Sequence, residues 1–174
     1  IQDLGAKLNI FCQTGKPVTL ARPGIQSVED YFDLKVIPGI QGTYGKQVEF
    51  AQHLKKLVRK DTPIIQTIFS PLTTLHKLTD GKVLEDMKES PKAVHHALEV
   101  ITAITNDFIN YNIAAGVDGF FFATQDAQED FITLEDYRTF GEFYDLAVMN
   151  SYVKQTWFNV IHIHGLNVYF DEIE

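Results

Sequence analysis

Three short apolar runs, separated by segments with helical patterns, constrain the fold of this chain more than any other feature. They occupy residues 64–69, 117–123 and 158–163, and each consists largely of β-branched and aromatic residues. Runs of this length and composition are typical of strands buried on both faces, as in parallel sheets covered by helices. The segments between them are long enough for right-handed crossovers. The sequence therefore predicts an α/β fold in which the three runs are adjacent parallel strands, in chain order.

Local signals predict where the helices around these strands begin and end. Ser90 and Pro91 begin a long helix that should end near Gly116, and Thr133 with Asp136 forms a capping box that opens another helix. This last helix should reach about residue 154. The other predicted elements are an amphipathic helix from residue 46, two short helices within 72–88 broken at Asp80 and Gly81, and short strands at 7–11 and 17–20. Residues 13–44 are otherwise dense in glycine and proline and predict an irregular connection.

Composition excludes some classes of function. With 15 Lys and Arg and a net charge of -8, the chain lacks the basic surface that nucleic-acid binding requires. A hydrophobic content of 45% over 174 residues suits a single core and one domain. No apolar run reaches membrane-spanning length and no signal segment opens the chain, so we expect no membrane partner and a cytoplasmic location. The single cysteine, Cys12, excludes an internal disulfide and fits a reducing compartment.

Polar side chains stand at the end of each predicted strand. Ser70 follows the first strand, Thr124, Gln125 and Asp126 follow the second, and the third carries His162 and His164. Because the carboxyl ends of parallel strands meet at one edge of a sheet, we expect these residues to form one site.

The histidine pair is the most specific of these signals. The i, i+2 spacing places both imidazoles on one face of the strand, about 6.5 Å apart, where they can chelate a metal ion or bind an anionic substrate. In a run this apolar, each imidazole needs a partner, and Asp126 is a candidate acceptor or third ligand. A histidine that only packs and is satisfied by a backbone hydrogen bond is the alternative. The other histidines, at positions 53, 76, 95 and 96, are predicted to be solvated or capping residues.

The segments PIIQTIFSPL, AAGVDGFFFATQ and FNVIHIHG follow one another in this chain, with a long helical segment between each pair. Together they resemble the uroporphyrinogen decarboxylase superfamily of β/α barrels. The resemblance implies a TIM-type (β/α)8 barrel, of which residues 1–174 form a single partial domain with about strands two to five. Such barrels take about 250 residues and eight strands, so we expect this chain to be part of a longer protein.

The superfamily has two main branches, and this sequence matches each in part. Its zinc-dependent methyltransferases transfer a methyl group from a corrinoid protein to a thiol, and their H-x-C-G motif binds zinc. His162 matches the histidine of that motif, and His164 stands where the cysteine would be. The decarboxylases convert uroporphyrinogen III to coproporphyrinogen in porphyrin biosynthesis, without metal or cofactor. Asp3 occupies the place of their catalytic aspartate, whereas their arginine-rich segment has no counterpart here.

The resemblance implies an enzyme of this superfamily, with methyl transfer ahead of decarboxylation. A non-catalytic half-barrel that binds a ligand through the same strand ends is a third interpretation. The assigned residues are Asp3, Gln125 and Asp126 as catalytic, Ser70, Thr124 and Gln125 as substrate-binding, and His162 with His164 as metal ligands. A catalytic Asp3 should face the same cleft as His162. Zinc is the expected cofactor of a methyltransferase, and a decarboxylase needs none. The expected partner is a corrinoid protein or a tetrapyrrole substrate. The sequence leaves open whether the protein forms a homodimer.

Overall fold

The computed structural model describes residues 1–10 and 18–172, and its larger sheet has three parallel strands. These are β3 (Ile65–Phe69), β4 (Gly119–Thr124) and β5 (Val160–Ile163), hydrogen-bonded in that order. The register places Ala123 of β4 opposite Phe69 on one side and His162 on the other. The predicted order and direction of the three strands are therefore confirmed.

A small antiparallel pair precedes this sheet, formed by β1 (Lys7–Asn9) and β2 (Thr19–Arg22). Both predicted strands are thus present where the chain is described, and residues 11–17 lie outside the described part. The prediction of an irregular chain through residue 44 is wrong at α1 (Val28–Asp33). This helix begins because the Asp30 carboxylate accepts hydrogen bonds from the backbone N–H groups of Gln26 and Ser27, at 2.8 and 2.9 Å.

Four of the helices connect the strands, and the first and last of these four pack against one face of the larger sheet. They are α2 (Gly42–Leu57), α3 (Pro71–Leu78), α4 (Val83–Glu89) and α5 (Pro91–Ala115). The predicted break between α3 and α4 is confirmed by positive φ angles at Asp80 (53°) and Gly81 (88°), and Gly116 ends α5 in the left-handed conformation. Among the described residues, none of these helices is both long and apolar enough to cross a membrane.

The segment after β4 forms three successive helical pieces where one helix was predicted. The Thr133 hydroxyl accepts a hydrogen bond from Asp136 N at 3.1 Å, which confirms the predicted cap. The pieces are α6 (Leu134–Tyr137), a π-helical turn over Arg138–Glu142 and α7 (Phe143–Met149). A π-helical turn adds a residue to the helix repeat and so changes which side chains face each other. Here Tyr137 and Asp145, eight positions apart, are hydrogen-bonded through the tyrosine hydroxyl at 3.0 Å.

One face of the sheet is buried beneath the helices, and the other is more open. Ile68, Phe120 and Phe122 pack against α2, α5 and α7, and Phe120 and Phe122 are fully buried. On the opposite face, Phe69 is 42% exposed and His162 is also exposed. The prediction that every strand is buried on both faces therefore holds for β4 but is wrong for β3 and β5. Within the described chain, each of these two strands has a neighbour on one side only.

Asp118, just before β4, fixes the amino ends of the strands. Its carboxylate accepts hydrogen bonds from Lys55 Nζ at 2.6 Å and Ile64 N at 2.8 Å. Its backbone carbonyl accepts from Trp157 N and Phe158 N, at 3.2 and 3.1 Å. One residue therefore joins α2 and the starts of all three strands, which sets their relative height and so the position of their carboxyl ends.

Replacing Phe122 by alanine should lower the free energy of unfolding by about 3 to 5 kcal/mol, because it empties a fully buried position between β4 and the helices. The matched control is Phe143→Ala, at a position that is 67% exposed, where we expect a change below about 0.5 kcal/mol. Urea unfolding midpoints of the two variants measure both effects. Equal losses in the two proteins would contradict the assignment of the buried face.

Candidate functional site

The carboxyl ends of β3, β4 and β5 meet at one edge of the sheet, as the sequence predicts. Beyond the strands proper, Ser70 N donates a hydrogen bond to Ala123 O and His164 N donates to Thr124 O, both at 2.9 Å. These two bonds extend the ladder past the last strand residues. The residues that follow each strand are therefore held at a common level.

His162 and His164 lie next to each other on β5 and on the turn that follows it. Their ring centroids are 5.8 Å apart with an interplanar angle of 51°, and His162 stacks on Phe121 at 5.5 Å. Zinc lies about 2.0 to 2.1 Å from a ligating imidazole nitrogen, so two rings on one tetrahedral ion have centroids roughly 5 to 6 Å apart. The separation of the two rings falls within that range. In the described part of the chain, no third His, Cys, Asp or Glu gathers with them.

The surroundings of the pair differ from the prediction in one respect. Both imidazoles are exposed, so the expectation that an apolar environment would force each to find a partner is wrong. The cause is the open face of β5, which no described element covers.

Gln128 links the loop after β4 to the turn after β5, a role that the sequence did not indicate. Its side-chain Nε2 donates hydrogen bonds to Gln125 O at 2.6 Å and His164 O at 3.0 Å. Gly165 makes this contact possible, because its φ is 136° and a Cβ there would lie 2.4 Å from Gln128 Oε1. The backbone of His164 is therefore held between Thr124 and Gln128.

Two of the predicted substrate-binding residues are fully buried. The Ser70 hydroxyl accepts a hydrogen bond from Thr73 N at 3.1 Å and so caps α3. The Thr124 hydroxyl has no hydrogen-bond partner among the described residues. Both side chains are 0% exposed, so in this structure they lie in the interior beneath the strand ends and do not face solvent. Their contact with a substrate stays a prediction.

Gln125 faces outward and is held by α3. Its backbone N–H donates to the Thr73 hydroxyl at 2.9 Å, and its side-chain Oε1 accepts from Lys77 Nζ at 2.7 Å. The predicted site residue thus joins a cation that sequence reasoning did not select. A sequence signal for this contact does exist. Thr73 and Lys77 are four residues apart on a helix that directly follows a strand end, so both side chains lie on the same face of that helix.

Asp126 is also placed at this edge, but it pairs with a different imidazole from the one predicted. It is 1% exposed, accepts a hydrogen bond from the Thr73 hydroxyl at 2.6 Å and is bonded to Nδ1 of His76. Neither His162 nor His164 is among its partners in the described residues. The prediction of a solvated or capping role for His76 is therefore wrong, because α3 carries this side chain onto the loop after β4.

Asp3 lies at the opposite side of the sheet from the histidine pair. Its carboxylate accepts hydrogen bonds from Thr43 N at 2.9 Å and from the Thr43 hydroxyl at 3.4 Å, at the start of α2. It also lines a cavity of about 370 Å³, together with Phe69 and Lys77 from the β3 side. His162, two strands away, is not among the described residues that line this cavity. The cavity therefore does not provide the common cleft that a decarboxylase with Asp3 as its acid was predicted to have.

A second carboxylate is buried behind the strand ends. Asp145 on α7 is 1% exposed, and one of its oxygens accepts the hydrogen bond from the Tyr137 hydroxyl. Burial raises the pKa of Asp145 to about 8, with a further contribution from the charge of Asp126 and an opposing one from the tyrosine hydrogen bond. Asp145 therefore holds its proton at neutral pH in the folded protein.

Replacing Asp145 by asparagine should remove one pH-dependent contribution to stability. The folded pKa of about 8 lies above the ordinary value of 3.8 for an aspartate, so the folded state retains this proton over a range where the unfolded chain has lost it. The contribution is fully present below the unfolded pKa and declines as pH rises towards 8, by about 1.4 kcal/mol per pH unit.

The measurement is the free energy of unfolding of wild-type and Asp145→Asn proteins between pH 5 and 9, taken as a difference at each pH so that shared titrations cancel. The variant keeps an oxygen to accept from Tyr137 and should gain stability relative to wild-type as pH rises. A difference that does not change with pH would contradict the assignment.

Comparison with solved structures shows the fold. A methyltransferase from Methanosarcina mazei is similar over 94% of this chain and 48% of its own, with a TM-score of 0.78 and 18% sequence identity. The present chain thus spans about half the length of that protein, and the likeness establishes a mixed α/β structure that covers part of its fold.

Comparison with proteins of curated function gave no match. The family model described as uroporphyrinogen decarboxylase (URO-D) matches residues 1–173. The match covers the β3, β4 and β5 strand ends and every residue of the site described above. The chain therefore belongs to the uroporphyrinogen decarboxylase family.

Proposed function

We propose that this chain is part of an enzyme that transfers a methyl group from a corrinoid protein to a thiol with the help of zinc. The observation that carries the proposal is the proximity of the His162 and His164 rings, 5.8 Å between centroids, at the carboxyl end of β5. Both rings are exposed on the open face of the sheet, where a metal and a substrate have access to them. Membership in the URO-D family agrees with either reaction, and the similar fold of a methyltransferase supports methyl transfer.

The chain's own residues would supply a preformed pair of zinc ligands. Phe121 stacks on His162, and the backbone of His164 is held by Thr124 and Gln128. These contacts support the His162 ring and the backbone of His164. Zinc held there would stabilise the thiolate form of an acceptor thiol near neutral pH, and the thiolate is the nucleophile that methyl transfer needs.

Uroporphyrinogen decarboxylation is the second candidate, and one observation favours it. Asp3 lines a cavity of about 370 Å³ that also contains Lys77, so a carboxylate and a cation face the same space. Against this candidate, both Asp3 oxygens already accept hydrogen bonds from Thr43, and the chain has no arginine-rich segment. A substrate with many carboxylates needs several fixed cations. We therefore place methyl transfer first.

The complete protein should bind zinc near stoichiometrically, and His162→Ala should lose most of it, because one of the two imidazole ligands is removed. The matched control is His53→Ala, an exposed histidine on α2 whose Nδ1 is hydrogen-bonded to Glu49 O at 2.8 Å. Elemental analysis after reconstitution and dialysis measures the metal content of all three proteins. Equal zinc contents in wild-type and His162→Ala would contradict the ligand assignment.

Replacing Asp3 by asparagine separates the two candidate reactions. We expect Asp3→Asn to keep zinc and methyl transfer from methylcobalamin to a thiol, and to lose about 0.3 to 1 kcal/mol of stability through the weaker interaction with the α2 amino terminus. Neither protein should consume uroporphyrinogen III. Decarboxylation by wild-type that disappears in Asp3→Asn would reverse the order of the two candidates.

A further inference from the structure

The amino edge of the larger sheet, at the opposite end of the strands from the histidine pair, exposes four apolar side chains. Val153, Trp157 and Phe158 lie in the segment that leads into β5, and Leu57 lies at the end of α2. Leu57 is 83% exposed and Trp157 is 73% exposed, and the Trp157 ring stacks on Phe158 at 5.4 Å. We call these four residues the amino-edge patch. Apolar groups that gather at one end of a folded chain, rimmed by polar residues, mark an interaction surface.

Asp118 connects the two segments that carry the patch. Its carboxylate accepts hydrogen bonds from Lys55 Nζ of α2 at 2.6 Å and from Nε1 of the Trp157 indole at 3.4 Å. Trp157 N also donates to Asp118 O at 3.2 Å. The indole is therefore directed towards the start of β4, the central strand, and towards α2.

The charges around the amino-edge patch are mostly positive, in a chain whose net charge is -8. Two acids at this end, Asp61 and Asp118, are each paired with a cation. Three further lysines are exposed and form no ion pair within the described part of the chain: Lys56, Lys60 and Lys154. Residues 108–117, which end α5 and lead into β4, carry no charge. The patch therefore combines protruding apolar groups with unpaired cations.

A group of acidic residues lies at the other end of the strands. They follow β4 and β5 in the chain: Glu129, Asp130, Glu135, Asp136 and Asp171. The strands that separate the two edges are about 15 to 20 Å long, whereas the Debye length is about 8 Å at physiological salt. An anionic surface that contacts the amino edge is therefore attracted by the lysines and only weakly repelled by these acids.

We propose that the amino-edge patch binds the surface of a membrane that contains anionic phospholipids. Trp157 and Leu57 insert at the level of the head groups, and the three lysines contact the lipid phosphates. In this orientation His162 and His164 face away from the membrane and stay open to a substrate. A peripheral contact needs no spanning helix, so the proposal replaces the expectation of no membrane partner. It is independent of the methyl transfer proposed above.

Sedimentation of the complete protein with extruded vesicles tests the proposal. We expect binding to phosphatidylcholine vesicles with about 30% phosphatidylglycerol, little binding to pure phosphatidylcholine, and release as salt is added. The double variant Lys56→Gln with Lys60→Gln should bind at least about tenfold more weakly, because two cations are removed. The matched control removes two exposed lysines near the start of α5, in Lys88→Gln with Lys92→Gln, and should bind as wild-type does.

Trp157→Ala tests insertion of the indole separately from attraction by the lysines. It should weaken binding to the anionic vesicles by about tenfold, whereas Phe143→Ala, at an exposed aromatic position on α7, should not. The vesicles should also shift Trp157 emission to shorter wavelength, measured as the difference between wild-type and Trp157→Phe.

Three results would overturn the proposal. The first is equal binding to the two kinds of vesicle, or equal binding by wild-type and the Lys56 and Lys60 double variant. The second is a Trp157 indole that acrylamide cannot quench in the complete protein, because the patch would then be covered by the rest of the chain. The third is binding to soluble polyglutamate that is as tight as binding to vesicles and unchanged in Trp157→Ala, which would assign the patch to an acidic protein.

Discussion

The pairing of β4 with both of its neighbours is the constraint on which the rest of the structure depends. Asp118 fixes the amino ends of the three strands, and backbone hydrogen bonds from Ser70 and His164 continue the ladder past their carboxyl ends. A parallel register with both ends fixed leaves no freedom to slide, because a slip of one residue would turn every side chain to the other face. The register therefore decides that His162 lies on the open face and Ile68 in the core.

Two carboxylates, Asp126 and Asp145, are buried near these strand ends, and they differ in their hydrogen-bond partners. Asp126 is hydrogen-bonded to the Thr73 hydroxyl through one oxygen and to Nδ1 of His76 through the other. Asp145 accepts a hydrogen bond from the Tyr137 hydroxyl, and burial nonetheless raises its pKa to about 8. Two charges buried near each other would be unfavourable, and a proton on Asp145 relieves that repulsion.

The candidate site combines two exposed imidazoles with buried supporting groups. The imidazoles of His162 and His164 are accessible, whereas the groups that hold them, Phe121, Thr124 and Gln128, are partly or fully buried. Ligands placed at strand ends and supported by buried hydrogen bonds keep their geometry more closely than ligands on free loops. On the α3 side, Thr73 serves the same purpose for Asp126 and His76. One edge of the sheet therefore presents two neighbouring pairs of side chains, His162 with His164 and Asp126 with His76.

Local sequence patterns are enough to predict the three parallel strands, their order, the cap at Thr133, the break at Asp80 and the placement of His162 and His164 on one face. These follow from local composition and from the period of two residues along a strand, which need no knowledge of distant contacts. Helix α1 was also encoded locally, in the Ser27 and Asp30 cap, but the surrounding glycines and prolines obscured it.

Only the tertiary structure decided which side chains meet across the strand ends. Asp126 lies 50 residues from His76, and Gln128 lies 36 residues from His164. Spacing along the chain carries no information about such pairs, because the contact depends on how α3 and two loops pack on the sheet. The same is true of the open face of β5 and of the raised pKa of Asp145, since exposure and desolvation are properties of the packed molecule and of no single segment.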